Sequence, residues 1–257
     1  MHPTPYADIN SLLDELLQRI RKILGDKLVG FYLYGSFVWG DFEYDTSDID
    51  MLAAIKSDIT EKEFEALKQM HADFVKNYPA WDDRIEVQYY SLNGLQTFKT
   101  KSSLLTVISP GDSLHTVDAG IEWLVNWYFV QEYGVTLWGP KPSTIIPHIS
   151  KGEFLQAVKN HALNWKGYVK RTIKSRSDQA YAILTLCRAL YTSNTSKQVS
   201  KKKAAAWAMQ ELPEWSTLIQ NALAWRKDRL NKQIDHEATY PKTVKFVNDV
   251  IDQIRMI

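Results

Sequence analysis

The sequence of 257 residues holds a single cysteine, Cys187. A lone cysteine excludes an intramolecular disulfide framework and cannot supply the paired thiolates of a structural zinc site. No stretch approaches the ~18 uninterrupted apolar residues that a membrane span needs. The first residues, MHPTPYADINSLLDELLQRI, show no basic segment followed by an apolar run. The expectation is a cytoplasmic protein, neither secreted nor membrane-bound. A net charge of +1 lacks the basic excess of most nucleic-acid binders, and 45% hydrophobic with 24% charged residues is ordinary for a folded chain.

The near-neutral total hides an asymmetry. Residues 1–150 carry 12 Lys and Arg against 21 Asp and Glu, whereas residues 151–257 carry 19 against 9. An acidic half suits metal ions and a cationic substrate, and a basic half suits phosphates. The halves also differ in periodicity. In the first, Leu12, Leu13, Leu16, Leu17 and Ile20 follow a helical repeat, and short apolar runs at 28–34, 48–55 and 85–90 read as strands. Thr60 and Glu63 form a capping box that opens a helix through about residue 75. Residues 118–133 read as helical, and the proline-rich 138–147 as a boundary. Beyond it only helical periods remain, at about 151–174, 178–193, 200–211, 214–230 and 239–256. The predicted architecture is α+β: a mixed-sheet α/β domain over 1–150 and a helical bundle over 151–257.

The chemistry concentrates in LYGSFVWGDFEYDTSDIDMLAAI. Gly35 and Ser36 follow a strand, where backbone N–H groups can face an anion and Gly35 has no side chain to block it. Asp48 and Asp50 are spaced i and i+2, so a strand projects both carboxylates to one side. Two like charges this close call for a cation, and hard oxygen donors suit Mg²⁺, which uses one or two carboxylates plus substrate phosphates. Glu86 interrupts the apolar run RIEVQYY, where a carboxylate needs a reason to be present. On the same face as Asp48 and Asp50 it would accept a proton from a substrate hydroxyl or share the metal.

Gly-Ser, Asp-x-Asp and a third acid on a later strand resemble the nucleotidyltransferases of the DNA polymerase β type. The resemblance implies that Asp48 and Asp50, with Glu86, hold Mg²⁺, and that Gly35, Ser36 and Ser47 hold the phosphates of ATP. An acceptor oxygen then attacks the α-phosphorus and pyrophosphate leaves.

The second half narrows the likeness. SDQAYAILTLCRALYTSNTSKQVSKKKAAAWAMQELPEW, and before it DAGIEWLVNWYFVQEYGVTLWGPKP, resemble the aminoglycoside (3'')(9) adenylyltransferases, enzymes of streptomycin and spectinomycin resistance. This implies an aminoglycoside as the small-molecule acceptor, Glu86 as general base, and a monomeric enzyme with ATP and Mg²⁺ bound between its domains. Arg188 and Lys201 fall on family positions that contact ATP phosphates, Trp225 on an aromatic near the nucleotide, and Asp178 on an acid that faces the drug. Asp112 and Glu122 are further candidates for the rim.

The chain departs from the family in two places. After the third acid the family has a Gly-Glu-Trp segment whose Trp packs on streptomycin, whereas this chain reads SLNGLQTFKTKSSLLTVISPGDSLHTVDAG. At the drug-facing acid it reads Asp178-Gln179-Ala180-Tyr181, of which only Asp178 transfers. Two alternatives stay open: the same transfer to RNA or protein, and a nucleotide-binding protein without turnover.

Overall fold

The computed structural model describes residues 3–38, 40–226 and 235–257. The chain divides into two compact units, Met1–Phe42 with Ser47–Ile149, and Ser150–Ile257 with the short segment Glu43–Thr46. The second unit thus recruits a loop from within the sequence of the first, which a linear reading of the boundary does not anticipate.

The first unit is built on a six-stranded sheet ordered β5-β4-β3-β2-β1-β6. Its strands are β1 (Leu28–Tyr34), β2 (Ile49–Ile55), β3 (Ile85–Ser91), β4 (Ser103–Ser109), β5 (Asp112–Ala119) and β6 (Val135–Trp138). Among the described residues every neighbouring pair runs antiparallel except β2 and β3. Helix α1 (Ala7–Leu24) precedes β1, and α2 (Glu61–Asn77) makes the crossover that parallel pairing requires. The expected capping box is present: Thr60 accepts from the Glu63 N–H while Glu63 reaches back to Thr60.

Central strands β1, β2 and β3 are buried along almost their whole length, which is why they read as apolar runs without alternation. Their odd-numbered residues, Phe31, Leu33, Met51, Ala53, Val87 and Tyr89, join Leu12, Leu16, Leu67 and Phe74 of α1 and α2 in one core. Truncating a fully buried residue of this cluster to Ala costs about 2–5 kcal/mol. The even-numbered face holds the acids and is flanked by α3 (Leu92–Thr97) and α4 (Leu124–Tyr133).

Three readings of the sequence are corrected here. Residues 103–117, given no element, form with 118–119 the β4–β5 hairpin. Its partial exposure mixes apolar with polar positions and hides the pattern. Asp118 lies in β5, so the helix expected from 118 begins only at Leu124, after a single 3₁₀ turn at Ile121–Trp123. A fourth central-sheet neighbour, β6, precedes the proline-rich boundary and pairs with β1.

The second unit contains α5 (Lys151–Tyr168), α6 (Arg176–Thr195), α7 (Lys201–Glu211), α8 (Ser216–Trp225) and α9 (Tyr240–Met256). The expected helix over 151–174 ends at Tyr168 and continues as a 3₁₀ turn, and the last residues of the one expected over 214–230 lie outside the described residues. Helix α6 is the axis of the bundle, with Ala180, Ala182, Ile183, Leu184, Leu186, Cys187 and Leu190 all buried. A helix buried nearly all round shows little amphipathicity, and α6 is packed by α5, α7, α8 and α9. Gln179 is wholly buried: Nε2 donates to the carbonyls of Thr172 (3.2 Å) and His236 (2.7 Å), and Oε1 accepts from Thr239 (2.7 Å) and Thr243 (3.1 Å). Its amide ties α6 to the start of α9. Among the described residues no helix is long and apolar enough to cross a membrane.

Candidate active site

Strand β1 ends at Tyr34, and the backbone then turns sharply at Gly35, whose φ is +70°. Only glycine takes this conformation without strain. It has a second reason to be glycine, since a Cβ there would collide with the Asp50 carboxylate. Ser36 follows in a 3₁₀ turn, its carbonyl accepting from the Asp41 N–H at 3.2 Å. Its hydroxyl is buried and has no hydrogen-bond partner, a state that a bound phosphate oxygen would relieve. Ser47 is 3% exposed, and its carbonyl accepts from Arg84 Nε (3.2 Å) and Nη2 (2.6 Å). The Arg84 guanidinium stacks over Trp81, 4.3 Å from the ring centre.

Asp48 lies just before β2 and Asp50 within it; both are half-buried, and they alternate with buried Ser47, Ile49 and Met51. The two carboxylates therefore share a face, as the i and i+2 spacing predicts. The register of the sheet adds Glu86: Tyr34 lies opposite Asp50 in the β1–β2 pair, and Asp50 lies opposite Glu86 in the β2–β3 pair. Three adjacent strands thus place Tyr34, Asp50 and Glu86 in one row.

Among the described residues, Asp48, Asp50 and Glu86 included, no three His, Cys, Asp or Glu side chains stand as a ready metal cage. The donors still fit Mg²⁺, which needs only one or two carboxylates when substrate phosphates complete its shell. Asp48 and Asp50 are hard oxygen ligands on one face, with the bare backbone of Gly35 against one of them and the unpartnered Ser36 hydroxyl on the residue after it.

Sequence reasoning missed the residues around Glu86. Tyr34 Oη donates to Glu86 Oε1 at 3.2 Å, and the Gln88 amide nitrogen contacts both Tyr34 Oη and Glu86 Oε1 at 2.6 Å. Asn126 of α4 also hydrogen-bonds the Tyr34 hydroxyl. Burial first, then the negative charges of Glu86 and Asp50, hold that hydroxyl's pKa well above the tyrosine range, so it stays protonated. Gln88 did leave a signal: it is a second polar residue two positions after Glu86, on the same face of an apolar strand.

In the helical unit, Asp178 is exposed in the first turn of α6, and its N–H is capped by the Ser175 hydroxyl at 3.2 Å. Arg188 is half-buried two helical turns beyond Tyr181, and its charge, after burial, lowers the pKa of His161 on α5. Lys201 opens α7 and sits 4.6 Å from the centre of the Tyr181 ring. Tyr181 packs on Trp165, whose ring nitrogen is buried without a partner. The next lysine, Lys202, pairs with Glu43, as does Arg226 more distantly. Burial would raise the Glu43 carboxyl, but hydrogen bonds from Lys202 and Thr46 and the charge of Arg226 bring it below the usual range.

Trp225 is 9% exposed, and the Arg176 guanidinium lies 5.3 Å from its ring centre, a cation–π contact. The two rim candidates separate. Asp112 is exposed at the start of edge strand β5. Glu122 accepts from the Gly120 N–H at 2.9 Å, and Gly120 follows Ala119, the partner of Ser103. That is the end of β4 remote from Ile108, which pairs beside Glu86 at Val87, so Glu122 is tied down away from the acids.

Residues 144–253 match the family described as aminoglycoside adenylyltransferase, C-terminal domain. An aminoglycoside (3'')(9) adenylyltransferase of Escherichia coli is 26% identical over 275 residues, covering 95% of this chain and 97% of the relative. One of Shigella flexneri is 25% identical over 274 residues, with the same coverage of each. In fold, the chain matches the spectinomycin adenyltransferase AAD(9) of Enterococcus faecialis, solved with ATP and spectinomycin, at a TM-score of 0.73 and 17% identity, over 94% of this chain and 98% of that one. In sequence over 95% of its length the chain is similar to the aminoglycoside (3'')(9) adenylyltransferases, and in fold over 94% it is similar to the spectinomycin adenyltransferase.

Proposed function

We propose that this protein is a nucleotidyltransferase that moves AMP from ATP to a hydroxyl of an aminoglycoside of the streptomycin or spectinomycin type and releases pyrophosphate. The observation that carries the reading is the row across β1, β2 and β3, in which Asp50 and Glu86 face each other in register beside the Gly35 turn. The names of the relatives support the acceptor class, and the ATP in the structural neighbour supports the donor.

Glu86 takes the proton of the acceptor hydroxyl as its oxygen bonds to the α-phosphorus. The bond from that phosphorus to the bridging oxygen breaks, and pyrophosphate carries away the electron pair. Asp48 and Asp50 would hold Mg²⁺, which neutralises charge on the triphosphate when bound. Ser36, Ser47 and the backbone at Gly35 hold phosphate oxygens. Arg188 and Lys201 of the helical unit fall on positions that resemble the family's ATP-phosphate contacts. Asp178 and the acidic first unit attract a polycationic drug.

The chain lacks the family's Gly-Glu-Trp segment after the third acid, so spectinomycin is the first acceptor to test. Mg²⁺-dependent pyrophosphate release from ATP is measured across streptomycin, spectinomycin, other aminoglycosides and buffer. Release with one drug, lost in Glu86→Gln, is the expected result. Binding of ATP with no release across the panel overturns the aminoglycoside reading.

A further inference from the structure

The Tyr34–Gln88 pair behind Glu86 is built too specifically to be a by-product of packing. Gln88 is 0% exposed and Tyr34 4% exposed, and both lie in the central strands of the sheet. Apolar side chains of similar volume would fill the same space without the cost of burying an amide and a phenol. The Gln88 carbonyl oxygen is indeed left buried without a partner.

The hydrogen-bond geometry fixes the protons shared among Tyr34, Gln88 and Glu86. The two hydrogens of the Gln88 amide nitrogen go to Tyr34 Oη and Glu86 Oε1, each at 2.6 Å. Reversing the amide would set its carbonyl oxygen 2.6 Å from a carboxylate oxygen, acceptor against acceptor, so the orientation is forced. With the Gln88 amide donating to its oxygen, the Tyr34 hydroxyl directs its own proton to Glu86 Oε1, 3.2 Å away. Oε1 thus receives two donors from two different strands. A glutamate side chain has three rotatable bonds, and two converging donors hold its carboxylate in a single rotamer.

We propose that Tyr34 and Gln88 are positioning residues for Glu86: together they anchor its carboxylate by Oε1 and present it in one orientation to the acceptor hydroxyl. The proposal rests on Glu86 being the base of the transfer described above. Neither residue touches the reacting atoms in this scheme. Their contribution is orientation, which for a reacting group displaced by about 1 Å is worth on the order of a hundredfold in rate.

The test uses Tyr34→Phe, Gln88→Met and the double variant, each compared with the parent protein on the acceptor it turns over best. The expected result is a kcat lowered about 10- to 100-fold in each single variant, with KM for ATP and for the acceptor unchanged within a factor of about two. Since both act on one carboxylate, the double variant is expected to lose far less than the product of the single losses. Crystal structures of the parent and double variant supply a readout free of turnover: one Glu86 rotamer in the parent and several in the variant. Unchanged kcat in Tyr34→Phe and Gln88→Met, or a single Glu86 rotamer in the double variant, overturns the proposal. A fall in kcat that comes with matching rises in both KM values and a lower melting temperature does so as well, since it marks a merely structural role. A parent protein inactive on every acceptor counts against the transferase reading instead, and the rotamer comparison then decides the anchoring alone.

Discussion

The Asp50 carboxylate occupies the space that a side chain on Gly35 would need. The turn that ends β1 and the acid on β2 are therefore fitted to one another, and position 35 has no room for a side chain while Asp50 stands where it does. Gly35→Ala must strain a φ of +70° and push Asp50 aside. We expect roughly a hundredfold loss of turnover and a higher Mg²⁺ requirement, read from Mg²⁺ titrations of pyrophosphate release. Normal Mg²⁺ dependence in this variant would show that Asp50 tolerates displacement.

The lysines opening α7 are expected to separate in function. Lys201 lies over the Tyr181 ring, which packs on Trp165 of α5, and is itself a position that resembles a phosphate contact. Lys202 is already paired with Glu43. Lys201→Ala should raise KM for ATP about tenfold or more, the scale of one charge-assisted phosphate contact. Lys202→Ala should change it by less than about threefold, as the loss of an exposed ion pair. Equal effects of the two variants would refute the distinction.

Gln179 predicts a stability effect rather than a kinetic one. Gln179→Leu removes one hydrogen-bond partner from each of two carbonyls and two hydroxyls in the interior of the helical unit, while the Thr172 carbonyl keeps the Ser175 N–H and the Thr239 and Thr243 hydroxyls keep backbone carbonyls. Each lost hydrogen bond to a group that keeps a second partner costs about 0.5–1 kcal/mol, so a total of about 2–4 kcal/mol is expected in urea unfolding. A change under about 0.5 kcal/mol would mean that the clamp contributes only orientation.

His71 gives a pH dependence with a defined sign. It is buried against Tyr89, with Nε2 to Oη at 2.7 Å, and burial pushes its pKa from 6.5 to about 4. Between those values the unfolded chain binds the proton and the folded chain does not, so stability falls as pH drops through this window. The loss approaches ~3 kcal/mol at its lower end. His161, lowered by burial and by Arg188, adds to the same trend. His71→Gln keeps a hydrogen-bonding side chain near Tyr89 and should flatten the slope of unfolding free energy between pH 6.5 and 4. An unaltered slope would place the acid sensitivity elsewhere.

Much of this could be read from residue order alone, and the failures share a cause. Strands β1, β2 and β3 and the helices of the second unit announce themselves because each is bounded by polar or proline signals and is apolar within. Gly35, Ser36, Asp48 and Asp50 are legible because their spacing is local. What escaped is pairing across distance: nothing near Glu86 in sequence says that it lies opposite Asp50, or that Tyr34, 52 residues earlier, reaches its oxygen. The β4–β5 hairpin was hidden by its exposure, and Gln179 sat unrecognised beside Asp178 because its four partners come from residues 172 and 236–243.

The parallel pairing of β2 with β3 has a consequence for how the protein acquires its chemistry. A hairpin closes within a few residues, but Asp50 and Glu86 meet only after the chain has travelled through α2 and returned in the same direction. Loop closure of this length is slow compared with helix formation, and the parallel pair is rewarded only when it is complete. Regain of pyrophosphate release after dilution from denaturant should therefore trail the recovery of helical signal. Turnover would then serve as a clock for completion of the sheet, dating the moment at which the two strands find their register.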